Sequence, residues 1–143
     1  MKQRSLELCA RVARECTANS LRRASRQVSA AFDKAIEDTG LRGTQFTLLT
    51  ALAIGKEMPL TRLAEVLSLD RTTLTRNLAP LEREKLVESR ATPDGRVRKV
   101  ALTERGQQAL ERALPRWEAA QKRVVDSLGE RRWKELMAVL ESM

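Results

Sequence analysis

The sequence contains no histidine and no tyrosine, and its 143 residues include only two cysteines, two tryptophans and two phenylalanines. Histidine is the commonest general base and the commonest metal ligand in proteins. Its absence argues against a serine–histidine triad or a histidine-ligated metal centre, and no glycine-rich phosphate loop is present. We therefore expect neither an enzyme nor a protein that carries a metal or a cofactor.

Long hydrophobic runs are also missing. No apolar stretch approaches the roughly 18 residues that a membrane-spanning helix requires. The N-terminal segment MKQRSLELCARVARECTA is too highly charged for a secretory signal. We expect a cytoplasmic protein without a membrane segment, whose cysteines stay reduced.

Positive charge, by contrast, is plentiful, since the formal net charge is +8. Residues 71–99 carry eight basic and four acidic side chains, whereas residues 1–40 carry eight basic and five acidic ones. A basic balance of this size favours an anionic partner such as nucleic acid or an acidic membrane face. The alternative is a helical protein with an ordinary charged surface.

Apolar residues recur at helical spacing over most of the chain. The pattern predicts one continuous helix over 5–38, which lacks proline and glycine, and further helices over 43–55, 61–67, 104–127 and 130–142. On the helix over 43–55 the inward residues should be Phe46, Leu49, Leu52 and Ala53, and Met58 and Pro59 form the link that follows it. Thr103 can cap the helix over 104–127. At about 1.5 Å per residue the first helix would extend on the order of 50 Å, too long for one small core. Part of its apolar stripe must therefore contact something else, and a second subunit is the simplest candidate.

Residues 60–103 combine two short helices with a basic hairpin. Ser68 and Leu69 form a very short connection before Asp70, which is placed as an N-cap. Beyond the second helix, Pro93-Asp94-Gly95 separates two strand-like runs, a strong hairpin signal. The sequence thus predicts a winged helix-turn-helix in a mainly α fold with a small β-hairpin wing.

The stretch DRTTLTRNLAPLEREK (70–85) has an unusual outer face. Leu74, Leu78 and Leu81 share one side of the predicted helix, and the opposite side carries small, hydroxylated and basic residues: Thr72, Thr75, Arg76, Ala79 and Arg83, with Thr73 at its edge. Short side chains allow close approach to a DNA major groove, and arginine can bond a guanine edge twice. The alternative is a solvated face. Pro80 should interrupt the helix, and we expect a new turn to begin there.

The same segments resemble the MarR family of bacterial transcriptional regulators. GLRGTQFTLLTAL (40–52) is similar to the family's second helix, LTRLAEVLSLDRTTLTRNLAPLEREKLVE (60–88) to its helix-turn-helix, and DGRVRKVALTERG (94–106) to its wing. Ser68 and Lys85 stand where the family often has glycine. If Lys85 adopts a positive φ, a strain of about 1 kcal/mol is expected.

The resemblance implies a homodimer that binds a double-stranded DNA operator and responds to a small apolar ligand held between dimer helices and DNA-binding lobe. Its domains would be an N-terminal dimerisation helix (1–39), a winged helix-turn-helix (40–103) and C-terminal dimerisation helices (104–143). Arg96 would enter the minor groove with Asp94 holding its guanidinium, while Arg98, Lys99 and Arg90 would lie near phosphates. The expected DNA-binding set is Arg71, Thr72, Thr73, Thr75, Arg76, Arg83, Arg90, Asp94, Arg96, Arg98 and Lys99.

Cys9 and Cys16 both lie on the apolar stripe of the first predicted helix. Seven residues correspond to about 10.5 Å along a helix, whereas a disulfide needs Cα atoms within roughly 7 Å. The two thiols therefore cannot pair within one intact helix. They are either core residues or redox-sensing thiols, as in some members of the family that the chain resembles.

Three functions remain in competition. The first is a dimeric DNA-binding regulator, a repressor relieved by a small ligand or an oxidant. The second is a protein–protein adaptor that uses the winged module to bind its partner. The third, an enzyme with a cysteine thiolate, is disfavoured by the absence of histidine and tyrosine.

Overall fold

A computed structural model describes residues 2–92 and 97–142. Seven α-helices and three short strands follow one another in this part of the chain. They are α1 (Gln3–Glu15), α2 (Thr17–Ile36), a 3₁₀ turn (Glu37–Thr39), α3 (Gly43–Gly55), β1 (Met58–Pro59), α4 (Leu60–Val66), α5 (Arg71–Arg83), β2 (Val87–Ala91), β3 (Arg98–Leu102), α6 (Glu104–Leu128) and α7 (Glu130–Glu141). The predicted class, mainly helical with a small hairpin, is confirmed.

The prediction of one continuous first helix is wrong. Cys16 adopts an extended conformation (φ −68°, ψ 106°) and separates α1 from α2. The backbone N–H of Cys16 still donates to the carbonyl of Val12, and that of Ser20 donates to the carbonyl of Cys16. Cys16 therefore ends α1 and occupies the N-cap position of α2, so the N-terminal arm consists of two separate helices.

The core lies around α3, α4, α5 and the sheet. Leu49, Leu63, Leu74, Leu81 and Val100 are completely inaccessible to solvent. The alternation of inward and outward residues on α3 differs from the prediction, because Leu48 is buried whereas Ala53 is exposed. Packing from both sides explains this, since α3 contacts α2, α5, α6 and the sheet.

The sheet has the antiparallel order β1-β3-β2. Strand β2 pairs with β3 from Val87 opposite Leu102 to Ala91 opposite Arg98, as expected of a wing. Met58 and Pro59, predicted only as a link, pair with Val100 and Lys99. The wing is therefore attached through β1 to the base of the helix-turn-helix.

Helix α5 continues through Pro80, contrary to the predicted restart. Proline lacks the N–H that would bond the carbonyl of Arg76, but Arg76 is exposed, so water can satisfy that carbonyl. The ladder resumes beyond it, because the N–H of Glu84 donates to the carbonyl of Pro80 at 3.0 Å. Arg76 and Arg83 thus lie on one uninterrupted helix.

Thr103 joins the wing, α5 and α6 at a single point. Its hydroxyl accepts from the N–H of Gly106 at 3.0 Å, which caps α6 as predicted, and donates to the carbonyl of Lys85 at 2.6 Å. Gly106 is required here because a Cβ would lie 1.9 Å from the carbonyl oxygen of Leu86. The close approach fixes the start of α6 against the end of α5.

Candidate nucleic-acid interface

Helix α5 presents the polar face that the sequence predicts. Leu74, Leu78 and Leu81 are buried, whereas the opposite side is exposed, with Thr73 at the half-buried edge: Arg71, Thr72, Thr75, Arg76, Ala79 and Arg83. Asp70 caps the helix as predicted, since its carboxylate accepts from the N–H and the hydroxyl of Thr73 at 2.8 and 2.6 Å. These two hydrogen bonds, the one from the hydroxyl foremost, hold the pKa of Asp70 below its usual value.

The threonines of α5 differ in the use of their hydroxyl groups. The hydroxyl of Thr73 is bonded to Asp70, and that of Thr75 donates to the carbonyl of Arg71 at 2.8 Å. Across residues 2–92 and 97–142, the hydroxyl of Thr72 makes no hydrogen bond. Thr72 is therefore the threonine whose donor is free for an external acceptor, while Thr75 presents mainly its methyl group.

The arginines of the predicted site fall into two groups. Within the described residues, Arg71, Arg76 and Arg83 have no carboxylate at ion-pair distance. The basic residues of the hairpin do have one: Arg90 bonds Glu88 at 2.7 Å, Arg98 bonds Glu82 at 2.6 Å, and Lys99 bonds Glu57 at 3.0 Å. Among the described residues of the predicted site, the positive charge that has no acidic partner is thus concentrated on α5. Asp94 and Arg96 lie outside the described residues.

Sequence reasoning missed Arg42, which precedes α3. Arg42 lines a groove of about 380 Å³ together with Arg76, Arg83 and one acidic residue, Glu84, and no carboxylate pairs with Arg42 in the part of the chain that the structure describes. Hydrophobic periodicity carries no signal for such a residue, because Arg42 is brought to α5 only by the packing of α3 against it. The groove extends the basic surface beyond the helix-turn-helix.

A second cavity, of about 340 Å³, lies between α2, α3 and α6. Its apolar walls include Val28, Phe32, Phe46 and Trp117, and the rings of Phe46 and Trp117 stack with centroids 6.2 Å apart. Asp33 adds a carboxylate, one oxygen of which accepts from the N–H of Gly43 at 2.5 Å. The cavity therefore adjoins the helix that packs behind α5.

The two cysteines are free thiols, and both are more accessible than core residues. Cys9 is exposed and Cys16 is half-buried in the single chain. Cys16 still lies about 10.5 Å along the axis from Cys9, because α1 is helical through Glu15 and the N–H of Cys16 bonds Val12. Among residues 2–92 and 97–142, no cluster of His, Cys, Asp or Glu has a metal-binding arrangement, and no helix is long and apolar enough to cross a lipid bilayer.

Comparison with known proteins agrees with this geometry. The sequence model of the MarR family matches residues 39–96, whereas no curated protein sequence matches the chain. The structure is similar to that of the Mycobacterium tuberculosis transcriptional regulator MosR in complex with DNA, with 35% identity over 90% of this chain and 96% of MosR and a TM-score of 0.79.

Two more distant structures have the same fold. BpsR of Bordetella bronchiseptica, whose DNA binding is regulated by 6-hydroxynicotinic acid, is 25% identical over 90% of this chain and 98% of its own, with a TM-score of 0.82. A cysteine-to-serine mutant of Escherichia coli MarR, complexed with operator DNA, is 19% identical over 92% of this chain and 96% of its own, with a TM-score of 0.84.

Proposed function

The chain belongs to the MarR family of DNA-binding transcriptional regulators, and we propose that it is a homodimeric repressor of transcription. It binds a double-stranded DNA operator in the cytoplasm. The observation that carries this proposal is the exposed face of α5, on which Arg71, Arg76 and Arg83 stand without acidic partners in the described chain. MosR, the relative that is 35% identical, is itself seen in complex with DNA.

Helix α5 would enter the major groove. Arg76 is placed to bond a guanine edge in two places, and the methyl group of Thr75 to pack against a thymine methyl. Arg71, Arg83 and the free hydroxyl of Thr72 would bond phosphates beside the groove, with Arg42 adding a further contact. Thr73 supports this surface through the cap rather than by touching DNA. The wing would place Arg96, held by Asp94, in the minor groove.

The dimer would be built from the terminal helices. Neither α1 nor α7 contains a buried residue in the single chain, although both carry apolar side chains, and Leu8, Val12, Leu136 and Leu140 are each more than 40% exposed. Exposed apolar stripes of this extent indicate an interface. We accordingly assign 1–39 and 104–143 to dimerisation and 40–103 to DNA binding. In a twofold dimer the operator half-sites should lie about 10 base pairs apart.

A small apolar ligand would relieve repression by binding in the cavity between α2, α3 and α6. The aromatic walls suit a flat ring, and BpsR provides a relative that is regulated by an aromatic acid. Trp117 lines the cavity, so ligand binding should change its fluorescence, and a Trp117→Phe variant should lose that change while Trp133 still emits. Oxidation of Cys9 or Cys16 is the alternative signal.

The decisive experiment is footprinting of the purified protein on the intergenic DNA beside its own gene, followed by selection from a library of random duplexes. We expect a protected site with twofold symmetry and an affinity that falls steeply with salt, because phosphate contacts release counterions. A protein–protein adaptor would protect no DNA. Failure to select any sequence would therefore contradict the proposal and favour the adaptor.

A further inference from the structure

Glu82 connects the C-terminal turn of α5 to both strands of the wing. One of its carboxylate oxygens, Oε1, accepts hydrogen bonds from the hydroxyl of Ser89 on β2 and from Nη2 of Arg98 on β3, the latter at 2.6 Å. The side chain of Glu82 is 30% exposed and that of Arg98 is 50% exposed. A single carboxylate thus reaches from the α5 helix to the two strands that carry the wing.

The same ion pair changes what Arg98 can offer to DNA. Binding of a cation to DNA is strengthened mainly by the counterions that its charge displaces from phosphate. An arginine and a carboxylate form a pair of almost zero net charge, and such a pair displaces few counterions. The pair of Glu82 and Arg98 therefore adds little to the positive charge that the arginines of α5, unpaired in the described residues, present to DNA.

We propose that Glu82 is a positioning residue that increases the specificity of DNA binding. It fixes the wing relative to α5, so that contacts in the two grooves are made together, and it keeps Arg98 away from backbone phosphates. Glu82 therefore lowers affinity for random DNA and raises the preference for the operator. This inference rests on the proposed DNA binding and revises the sequence-based expectation that Arg98 contacts phosphate.

The first test compares the parent protein with Glu82→Gln on a random duplex and on the selected operator at several salt concentrations. Glutamine keeps the size of the side chain and can still accept a hydrogen bond from Arg98, but it removes the negative charge, so the charge of Arg98 is no longer compensated. The plot of log affinity against log salt for random DNA should become steeper by about 0.9, the value for one added phosphate contact. The operator-to-random ratio should fall, because the added phosphate contact strengthens binding to any sequence, whereas a wing held less firmly weakens the contacts that are specific to the operator.

Controls separate this effect from a general change of charge and from misfolding. Glu84→Gln adds the same charge at a nearby position, where no ion pair is present in the described chain. Combining each variant with Arg98→Ala should abolish the steeper salt dependence of Glu82→Gln but leave the behaviour of Glu84→Gln unchanged. The double variant Glu82→Gln, Arg98→Ala, in which both members of the pair are neutral, should have the salt dependence of the parent on random DNA.

The outcomes are distinguishable. A purely structural role for Glu82 would lower affinity for both duplexes without steepening the salt dependence, which would overturn the proposal. If the slope of the double variant is instead flatter than that of the parent by about 0.9, Arg98 already contacts a phosphate in the parent and the proposal is again wrong. A parent protein that selects no operator would instead contradict the proposed function itself.

Discussion

A single side chain, Asp70, begins the helix on which the proposed DNA contacts stand. Its bonds to the N–H and hydroxyl of Thr73 satisfy one of the backbone donors that every helix start leaves open. The neighbouring Thr72 and Arg71 are thereby held on the first turn. Asp70 thus positions the proposed contact residues and is not itself proposed to touch DNA.

We predict that Asp70→Ala lowers the melting temperature at neutral pH, whereas Asp70→Asn, which can also cap, lowers it less. Because the pKa of Asp70 is lowered in the folded protein, its contribution is complete above the pKa of the unfolded chain, about 3.9. It is lost as the pH falls through the lower, folded value. Melting curves between pH 7 and 2 should therefore converge for the parent and Asp70→Ala, and a constant difference would contradict the prediction.

Arg76 is the residue for which we predict the largest effect on base preference. Arg76→Ala should weaken operator binding by roughly 1–3 kcal/mol and relax the preference at one base pair in each half-site. Arg83→Ala should weaken binding almost equally for all sequences if that residue bonds a phosphate. Selection from a duplex library measures both variants, and an unchanged preference for Arg76→Ala would mean that α5 is placed differently.

At the scale of elements, the helices α4 and α5 each end at a residue with positive φ that stands where glycine is the usual choice. Ser68 after α4 and Lys85 after α5 have φ values of 50° and 58°. In both, the next N–H reaches back into the last turn, Leu69 to Ala64 at 2.9 Å and Leu86 to Leu81 at 2.8 Å. These are Schellman ends, and burial of Leu81 and Leu86 offsets the strain.

Replacing Lys85 with glycine should raise the free energy of unfolding by up to about 1 kcal/mol, because glycine adopts a positive φ without a Cβ clash. Glu84→Gly is the matched control, since Glu84 has φ −82° and gains nothing from glycine. Urea denaturation of the two variants tests the difference. A less stable Lys85→Gly protein would show that the lysine side chain contributes more than its strain costs.

The interruption at Cys16 leaves the prediction for the thiols intact. Since Cys16 still follows the course of α1, mild peroxide should produce no disulfide between Cys9 and Cys16 of one chain, and oxidation would proceed through a covalent dimer or a singly oxidised thiol. Mass spectrometry under non-reducing conditions tests this. A dominant disulfide between Cys9 and Cys16 of one chain would mean that α1 unwinds. If oxidation is the signal, peroxide should release the parent protein from DNA but should not release the Cys9→Ser, Cys16→Ser double mutant.

What the sequence could predict was local. Periodicity located α3 to α7 and the hairpin, and Asp70 and Thr103 were placed as caps because capping depends on residues three positions apart. The break at Cys16 has no proline or glycine to signal it. The pairing of Met58 with Val100, and the bonds from Glu82 to Arg98 and from Glu57 to Lys99, join distant positions that only the fold brings together.

At the scale of the molecule, α7 packs against its own chain only partly. Trp133 and Met137 are half-buried, whereas Leu136 and Leu140 are each 43% exposed. An apolar stripe that a single chain leaves open fits the proposed subunit interface better than it fits solvent. We expect α1 and α2 of the partner subunit to pack against this apolar stripe.

Replacing both Leu136 and Leu140 with glutamate should therefore produce monomers, because charges would have to be buried at the interface. Ala138→Glu, on the opposite side of α7, is the control and should remain dimeric. Sedimentation velocity distinguishes the two results. A stable dimer of the double variant would show that the interface lies elsewhere, and a monomer should bind single half-sites only weakly.

The junction at Thr103 allows α6 to transmit a rotation from its far end to α5 and the wing. Because the hydroxyl of Thr103 and the contact of Gly106 with Leu86 lock the start of α6 to α5 and the wing, these parts must rotate together. Helix α6 has 25 residues and is therefore about 37 Å long. A tilt of about 5° at its far end displaces the other end by roughly 3 Å, close to one base-pair step of about 3.4 Å. A change of angle too small to disturb the packing of the arms would thus move α5 out of register with the bases that we propose it reads.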